Sequence, residues 1–355
     1  RMGRKQKESE QLEFLVKHHL VMSHFSQRRD IHDYSLIVRF AKSVKSLETL
    51  SLLYLLTFAD IKTVGPEVWT NWKAMLLKEL FLRTAKVLEQ GEFYKVKPGS
   101  REMRVIKDVI QILDGEVPSK NVRKILKEMP DSYFMGFSPR TISGHIQLIE
   151  KSKDGFGMDV LYYPTEQYNE FTFWGFDEPG IFSKLCGVIR ASGLNVLGAR
   201  ITTRKDGRIL DVFYVNRLGK MVAEDDTIWK KLGKNMRDVL LSKTDVEKLV
   251  AKKRMDKPLY GKTVPQYPSK IDVDNESSDK ATIIDIYTYD RAGLLFDITK
   301  TIRNLDLSIE YAKISTKVDQ VVDAFYVVDM DGNKVTDSDA IDRIKADLFE
   351  VVAKV

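Results

Sequence analysis

The stretch DEPGIFSKLCGVIRASGLNV, residues 177–196, returns 113 positions later as DRAGLLFDITKTIRNLDLSI, residues 290–309. Each copy opens with an aspartate, reaches a glycine three places on, runs as an apolar-striped helix and ends in a β-rich segment. At the same offset Ile189, Arg190, Ala199, Ile201 and Thr203 meet Ile302, Arg303, Ala312, Ile314 and Thr316. With one residue dropped at the turn, Asp211-Val-Phe-Tyr-Val then meets Asp323-Ala-Phe-Tyr-Val. Chance does not hold polar, glycine and aromatic positions in one register, so the chain carries one folding unit twice. The unit reads strand–helix–strand–strand–helix, with a final strand wherever one is available. That is the pattern of a ferredoxin-like α/β sandwich, an antiparallel sheet covered on one face by two helices.

The rest of the chain reads differently. Residues 1–92 carry apolar side chains at helical spacing in LEFLVKHHLVMSHF, YSLIVRFAKSVKSLETLSLLYLLTFADI and WTNWKAMLLKELFLRTAKVLEQ, with Gly65-Pro66 as punctuation. Residues 93–155 read as a helical connector, with helices over Arg101–Leu113 and Thr141–Ile149. GMDVLYYP and YNEFTFWGF then turn the pattern to β. The first copy is placed at 156–278, including a long charged helical stretch, Asp225–Lys253, and the second at 279–355. The fold class is multidomain, α followed by α+β.

The second copy is short of strands. After Val327 only 28 residues remain, and the turn at Asp331-Gly332-Asn333 and a helix over Asp337–Ala353 use nearly all of them. A fourth strand needs about 5 residues of its own. An open edge exposes unpaired backbone groups. Met158–Tyr163 or Ile271–Asp274 is therefore expected to pair across the copies and tie them into one body.

At 355 residues the chain is long enough for two or three domains. Its net charge of +6 is mild, and the signs alternate along the helices, which argues for solvated faces rather than a nucleic-acid surface. Cys186 is the single cysteine and lies on an apolar helical stripe, so packing explains it better than chemistry. No apolar run approaches the ~20 residues of a membrane span. RMGRKQKESEQ has no apolar core after its basic start and is no signal peptide. It reads like a helix entered partway along, which predicts a chain beginning inside a larger, cytoplasmic protein.

The chemistry of the repeat sits at its strand-to-helix junction. Gly180 and Gly293 fall at helix N-termini, where free N–H groups and the helix dipole suit a carboxylate and glycine admits a ligand to the backbone. For a lone Asp-x-x-Gly the plainer reading, an aspartate cap and a turn, would win. Two copies in one larger pattern favour a ligand.

Asp-Glu-Pro-Gly-Ile-Phe, Gly-Leu-Asn-Val and Asp-x-Phe-Tyr-Val, with their second set, resemble the ACT domain, a regulatory module that commonly binds free amino acids. The resemblance implies that paired modules hold a ligand between them, with contacts at Asp177, Gly180 and Asn195 and at Asp290 and Gly293. Ser308 stands where the first copy has Asn195, so the copies need not bind alike.

The helical half holds His18, His19 and His24 close together, Gln27-Arg28-Arg29-Asp30, and Thr57-Phe-Ala-Asp60. A histidine pair and one aspartate are weak evidence of a metal. Adjacent arginines ending a helix suit a phosphate, though an ion pair with Asp30 or Asp33 is the plainer reading. HHLVMS…QRRD, LYLLTFADIKTVGPEVWTNWKAMLLKEL and two C-terminal ACT modules together resemble the C-terminal part of the bifunctional uridylyltransferase/uridylyl-removing enzymes, which modify the PII nitrogen-signalling protein.

That resemblance implies an all-α HD-type phosphohydrolase portion over residues 1–92, followed by two ferredoxin-like βαββαβ ACT domains. It implies L-glutamine as allosteric effector and PII as partner, with no nucleic acid and no membrane. It implies a divalent metal, magnesium or manganese, in the parent enzyme, with His19 and Asp60 as a partial ligand set and Arg28 and Arg29 on the phosphate. His32-Asp33 is the one adjacent His-Asp pair, and it follows the Gln-Arg-Arg-Asp stretch, in the wrong order for the family's dyad. The nucleotidyltransferase signature is missing, since Gly99-Ser100 is followed by Arg-Glu-Met-Arg. The chain alone is therefore expected to be inactive. Competing readings are another HD-plus-ACT nucleotide hydrolase of the stringent-response type, a purely amino-acid-binding regulatory module, and an ACT-regulated biosynthetic enzyme.

Overall fold

A computed structural model describes residues 6–64, 69–90, 100–152, 155–254, 268–291, 293–314, 316–317 and 320–353. Gly65 and Pro66 lie outside them. The chain divides into two compact units, Arg1–Lys97 and Pro98–Val355.

The first unit is helical: α1 (Gln6–His18), α2 (Val21–Arg28), α3 (Tyr34–Val44), α4 (Leu47–Val64) and α5 (Asn71–Gln90). Asp33 starts α3 by accepting the Ser35 N–H at 2.9 Å, a side-chain cap for an otherwise orphaned donor. Lys45, at φ 68°, ends it. The apolar faces meet in one core that includes Met22, Phe40, Leu50, Leu53, Leu77 and Leu80.

The second unit begins with α6 (Ser100–Leu113), α7 (Ser119–Lys127), α8 (Asp131–Gly136) and α9 (Pro139–Lys151). The first copy of the repeat follows as β1 (Gly157–Tyr163), β2 (Tyr168–Phe176), α10 (Ile181–Ser192), β3 (Asn195–Arg200), β4 (Arg208–Asn216), α11 (Thr227–Leu240) and α12 (Val246–Arg254). The second is β5 (Lys270–Asp274), β6 (Thr282–Tyr289), α13 (Leu294–Asn304), β7 (Ser308–Lys313), β8 (Thr316–Lys317), β9 (Gln320–Val328) and α14 (Ser338–Val352). Where one charged helix was expected over Asp225–Lys253, there are two. Ser242, at φ 54°, breaks the run, and the N–H groups of Lys243 and Thr244 fold back onto the Asp238 carbonyl.

The strands make one antiparallel sheet in the order β1-β2-β4-β3-β7-β9-β6-β5, with β8 on β9. In each copy the position beside the first strand, where a final strand would close a βαββαβ unit, is taken by the strand that precedes it. Met158 pairs with Phe173 and Ile271 with Ile286. The expectation that either early segment would pair across the copies is not met. Each closes its own copy, because it is joined to the next strand by a short antiparallel connection. The copies are instead joined by β3 and β7. The second copy accordingly begins with β5 rather than at residue 279.

One face of the sheet is covered by α10 to α14, and their side chains merge into one core across both copies. On the other face α6, α7, α8 and α9 cover Trp174 of β2 and Leu210 and Val212 of β4. The stretch read as a connector is thus a second helical layer on the first copy.

Candidate functional site between the two copies

The seam pairs Ala199 with Ala312, which are the same position in the two copies. An antiparallel pairing of equivalent residues places a local two-fold axis at that point. Gly198 sits against Lys313, and a Cβ on it would meet the Ala312 carbonyl oxygen at 3.2 Å. Helices α10 and α13 pack together over the seam. By this symmetry the Asp-x-x-Gly loop of each copy faces the helix end and strand start of the other.

At the first copy's loop there is a cavity of about 210 Å³. Asp177, Gly180, Thr203 and Asp211 line it from the first copy, and Thr299, Arg303 and Ser308 from the second. Gly180, at φ 81°, is the residue before α10. A side chain there would be strained in that left-handed conformation. The Ile181 and Lys184 N–H groups are taken by the Glu178 and Gly180 carbonyls, and Gly180, Ile181, Phe182 and Ser183 line the cavity, at a helix start whose dipole favours an anion. Burial raises the Asp177 carboxyl above its usual range, against the Glu178 N–H and the Arg303 charge, which favour the anion.

Asp211 lies at the floor of this cavity and is 0% exposed. Its Oδ1 receives the Thr202 N–H at a long 3.4 Å, and its Oδ2 has no hydrogen-bond partner among the described residues. Burial raises this carboxyl well above the usual range, and the charges of Asp177 and Glu310 push the same way. Its place in the repeated Asp-x-Phe-Tyr-Val block was the signal in the sequence for it.

The second loop is arranged otherwise. Asp290 is raised by burial and favoured as the anion by Arg190 and Arg291, so the symmetry-related partner is present. Yet Arg190 Nη1 donates to Asn195 Oδ1 at 2.6 Å. Asn195 does not line the Asp177 cavity. The antiparallel seam brings Ser308 there, and carries Asn195 to the Asp290 side. Gly293 starts α13 at φ 83°, as Gly180 starts α10. Arg291 bridges Asp297, at 2.6 Å, and the Val351 carbonyl, at 3.2 Å.

In the first unit, His19 lies in the turn between α1 and α2, where its Nδ1 contacts the Val16 carbonyl at 2.7 Å. Thr57 Oγ1, one turn before Asp60 on α4, donates to the His19 carbonyl at 3.4 Å. This brings the two elements together. Among the described residues, however, no three His, Cys, Asp or Glu side chains gather as a metal centre. The residues present do not fit a metal ion by themselves. Arg28 ends α2 and Arg29 caps it. Arg29 is buried, with Nη1 on the Arg28 carbonyl at 3.2 Å. His32 contacts Asp30 at 3.4 Å and Glu79 at 3.1 Å. Burial pushes the Glu79 carboxyl up, but the hydrogen bond and charge of His32, with Arg83, bring it down to about 2. The His32-Asp33 pair is thus used for a helix cap and an ion pair.

Two ferredoxin-like units joined edge to edge, with Asp-x-x-Gly loops opposed across the seam, define a tandem ACT-type module. Residues 270–354 match a family profile described as an ACR9-like, ACT-like domain. Over its whole length the chain is 32% identical to a bifunctional uridylyltransferase/uridylyl-removing enzyme of Rhodospirillum rubrum, of which it covers 38%. Enzymes of the same name from Gluconobacter oxydans and Phenylobacterium zucineum are each 32% identical over 98% and 100% of the chain, which covers 37% and 38% of them. The chain is similar to these enzymes from end to end and spans less than two-fifths of the length of these curated relatives. Among the described residues no helix is long and apolar enough to cross a membrane.

Proposed function

We propose that the chain is the glutamine-sensing regulatory part of an enzyme that attaches UMP to the PII nitrogen-signalling protein and removes it. The observation that carries this reading is the cavity between the copies, where Asp177, Arg303 and the start of α10 offer partners for both charges of a free amino acid. The end-to-end similarity to the uridylyltransferase/uridylyl-removing enzymes supports it. The ligand's carboxylate is taken by Arg303 and the first-turn N–H groups, and its ammonium by Asp177. Glutamine bound there favours removal over transfer in the parent enzyme.

Residues 1–92 are proposed to be the later part of an HD-type hydrolase domain. A divalent ion, magnesium or manganese, is proposed for the parent enzyme only, where His19 and Asp60 belong to a larger ligand set and Arg28 and Arg29 contact phosphate. The chain by itself is proposed to lack activity. Calorimetric titration with glutamine, glutamate and 2-oxoglutarate tests the central claim. Heat and a thermal shift are expected with glutamine at millimolar concentration, and their absence sinks it.

A further inference from the structure

We infer that Asp211 selects the ligand's side chain, pairing through its carboxyl group with a neutral carboxamide and turning away a carboxylate. The inference rests on the amino-acid-sensing reading above. Three observations carry it. Asp211 is fully buried, lines the cavity, and has an oxygen, Oδ2, with no hydrogen-bond partner among the described residues. A buried polar atom in that condition has an unmet hydrogen-bonding capacity, and a ligand atom that reaches it meets that capacity. The charged partners are elsewhere: Asp177 and Arg303 are at the mouth, so the zwitterionic end of the ligand belongs there and its side chain reaches the floor.

The floor suits an uncharged group. Asp177 on the β2–α10 loop and Glu310 on β7 bring negative charge toward Asp211, and the Cys186 thiol on α10 brings no cation. Burial and these neighbours favour the protonated form of Asp211. A protonated carboxyl donates its O–H to an amide carbonyl and accepts an amide N–H with its other oxygen. Those are the two bonds a primary carboxamide offers in return. A carboxylate beside Asp211 would bring a further negative charge to a buried place toward which Asp177 and Glu310 already direct theirs, and burying it unpaired is costly.

The test is calorimetry with L-glutamine and L-glutamate on the full chain and on Asp211→Asn. Asparagine keeps the shape and neutrality but can donate N–H bonds to a carboxylate. The wild-type chain is expected to prefer glutamine by tenfold or more, equivalent to about 1.4 kcal/mol, and Asp211→Asn to lose most of that preference, chiefly by gaining glutamate affinity. Unchanged selectivity in a folded variant overturns the inference and leaves the sensing reading intact. A wild-type chain that binds neither amino acid overturns both. If the variant unfolds, the pH dependence of the wild-type chain decides. Glutamine affinity should fall as rising pH ionises Asp211, and a flat profile up to the ionisation of the ligand's own amine overturns the inference.

Discussion

At the first copy's loop, Asp177 and Gly180 border a cavity whose floor holds Asp211. At the second, Asp290 and Gly293 sit beside Arg190, whose guanidinium already donates to Asn195. The backbones are related by the axis through Ala199 and Ala312, so the contrast comes from side chains that the repeat does not conserve between copies. Where the second copy has Ser308, which is small, its own Arg303 lines the cavity with Asp177 and contacts the exposed Asp306 at 3.4 Å. Where the first copy has Asn195, the amide takes up Arg190. The exchange at this one repeat position thus separates a loop whose arginine makes a long contact with an exposed aspartate from one whose arginine is held by an amide at 2.6 Å. Duplication supplies the seam, and divergence decides which side of it is used.

The contrast fails if the copies are independent domains. Phe213 and Phe325 occupy the same repeat position, and each is 0% exposed in a core shared across the seam. Truncating either, Phe213→Ala or Phe325→Ala, should cost about 3–5 kcal/mol. If the second unit is one cooperative body, each variant lowers the same denaturation midpoint, read by the same probe. Two separable transitions, each moved by only one variant, would break the description of a single body.

A smaller effect separates the copies by their surroundings. Glu170 on β2 faces the α6–α9 layer, and its repeat counterpart in β6 is Ile283. Burial, with the Asp159 charge, raises the Glu170 carboxyl to about 7 against a hydrogen bond from Tyr163. Because the folded-state pKa is raised, ionisation opposes folding. Stability is full below the unfolded value of 4.5, declines as pH rises toward 7, and is flat beyond. His145 in the same layer, accepting or donating at 2.9 Å to Tyr133 Oη, is lowered to about 3 by burial. Its neutral form is required, so stability is lost as pH falls from 6.5 toward 3. Glu170→Gln should therefore gain up to about 3 kcal/mol at neutral pH and almost nothing near pH 4.5. Chemical denaturation at several pH values measures it. An equal gain at both ends would show that the benefit is packing, and would remove this distinction between the copies.

Much of this architecture was readable beforehand. The paired Asp-x-x-Gly, Arg190/Arg303 and Asp-x-Phe-Tyr-Val positions gave both sandwiches and located the loops, because local pattern and backbone requirement coincide there. What could not be read was which strands meet. Side-chain period says that Asn195–Arg200 is a strand with a buried face, but not that its free edge pairs with Ser308–Lys313 rather than with Met158–Tyr163. Asn195 does not line the cavity at Asp177 for that reason, since its strand starts across the axis, where it meets Arg190. The α6–α9 layer reads as a connector because the sheet residues that complete its core, Trp174, Leu210 and Val212, lie over 20 residues downstream. Asp211 was visible as a repeated aspartate, but its missing partner is a fact of three dimensions.

The smallest effect bears most directly on the comparison. Asp177→Ala removes the carboxylate that faces Arg303 and the ligand's ammonium, and should weaken glutamine binding about tenfold, or about 1.4 kcal/mol. Asp290→Ala removes the equivalent group from a loop where Arg190 is held by Asn195 and Arg291 by Asp297. It should change affinity less than about twofold, within what a substitution outside the site produces. The exposed Asp225→Ala serves as the control for both. Calorimetry gives the affinity and the number of ligands per chain together, and one ligand per chain is expected. Equal losses from Asp177→Ala and Asp290→Ala, with two ligands bound, would mean that Arg190 leaves Asn195 when glutamine arrives. The asymmetry would then be a property of the free chain, and both sides of the seam would sense the ligand.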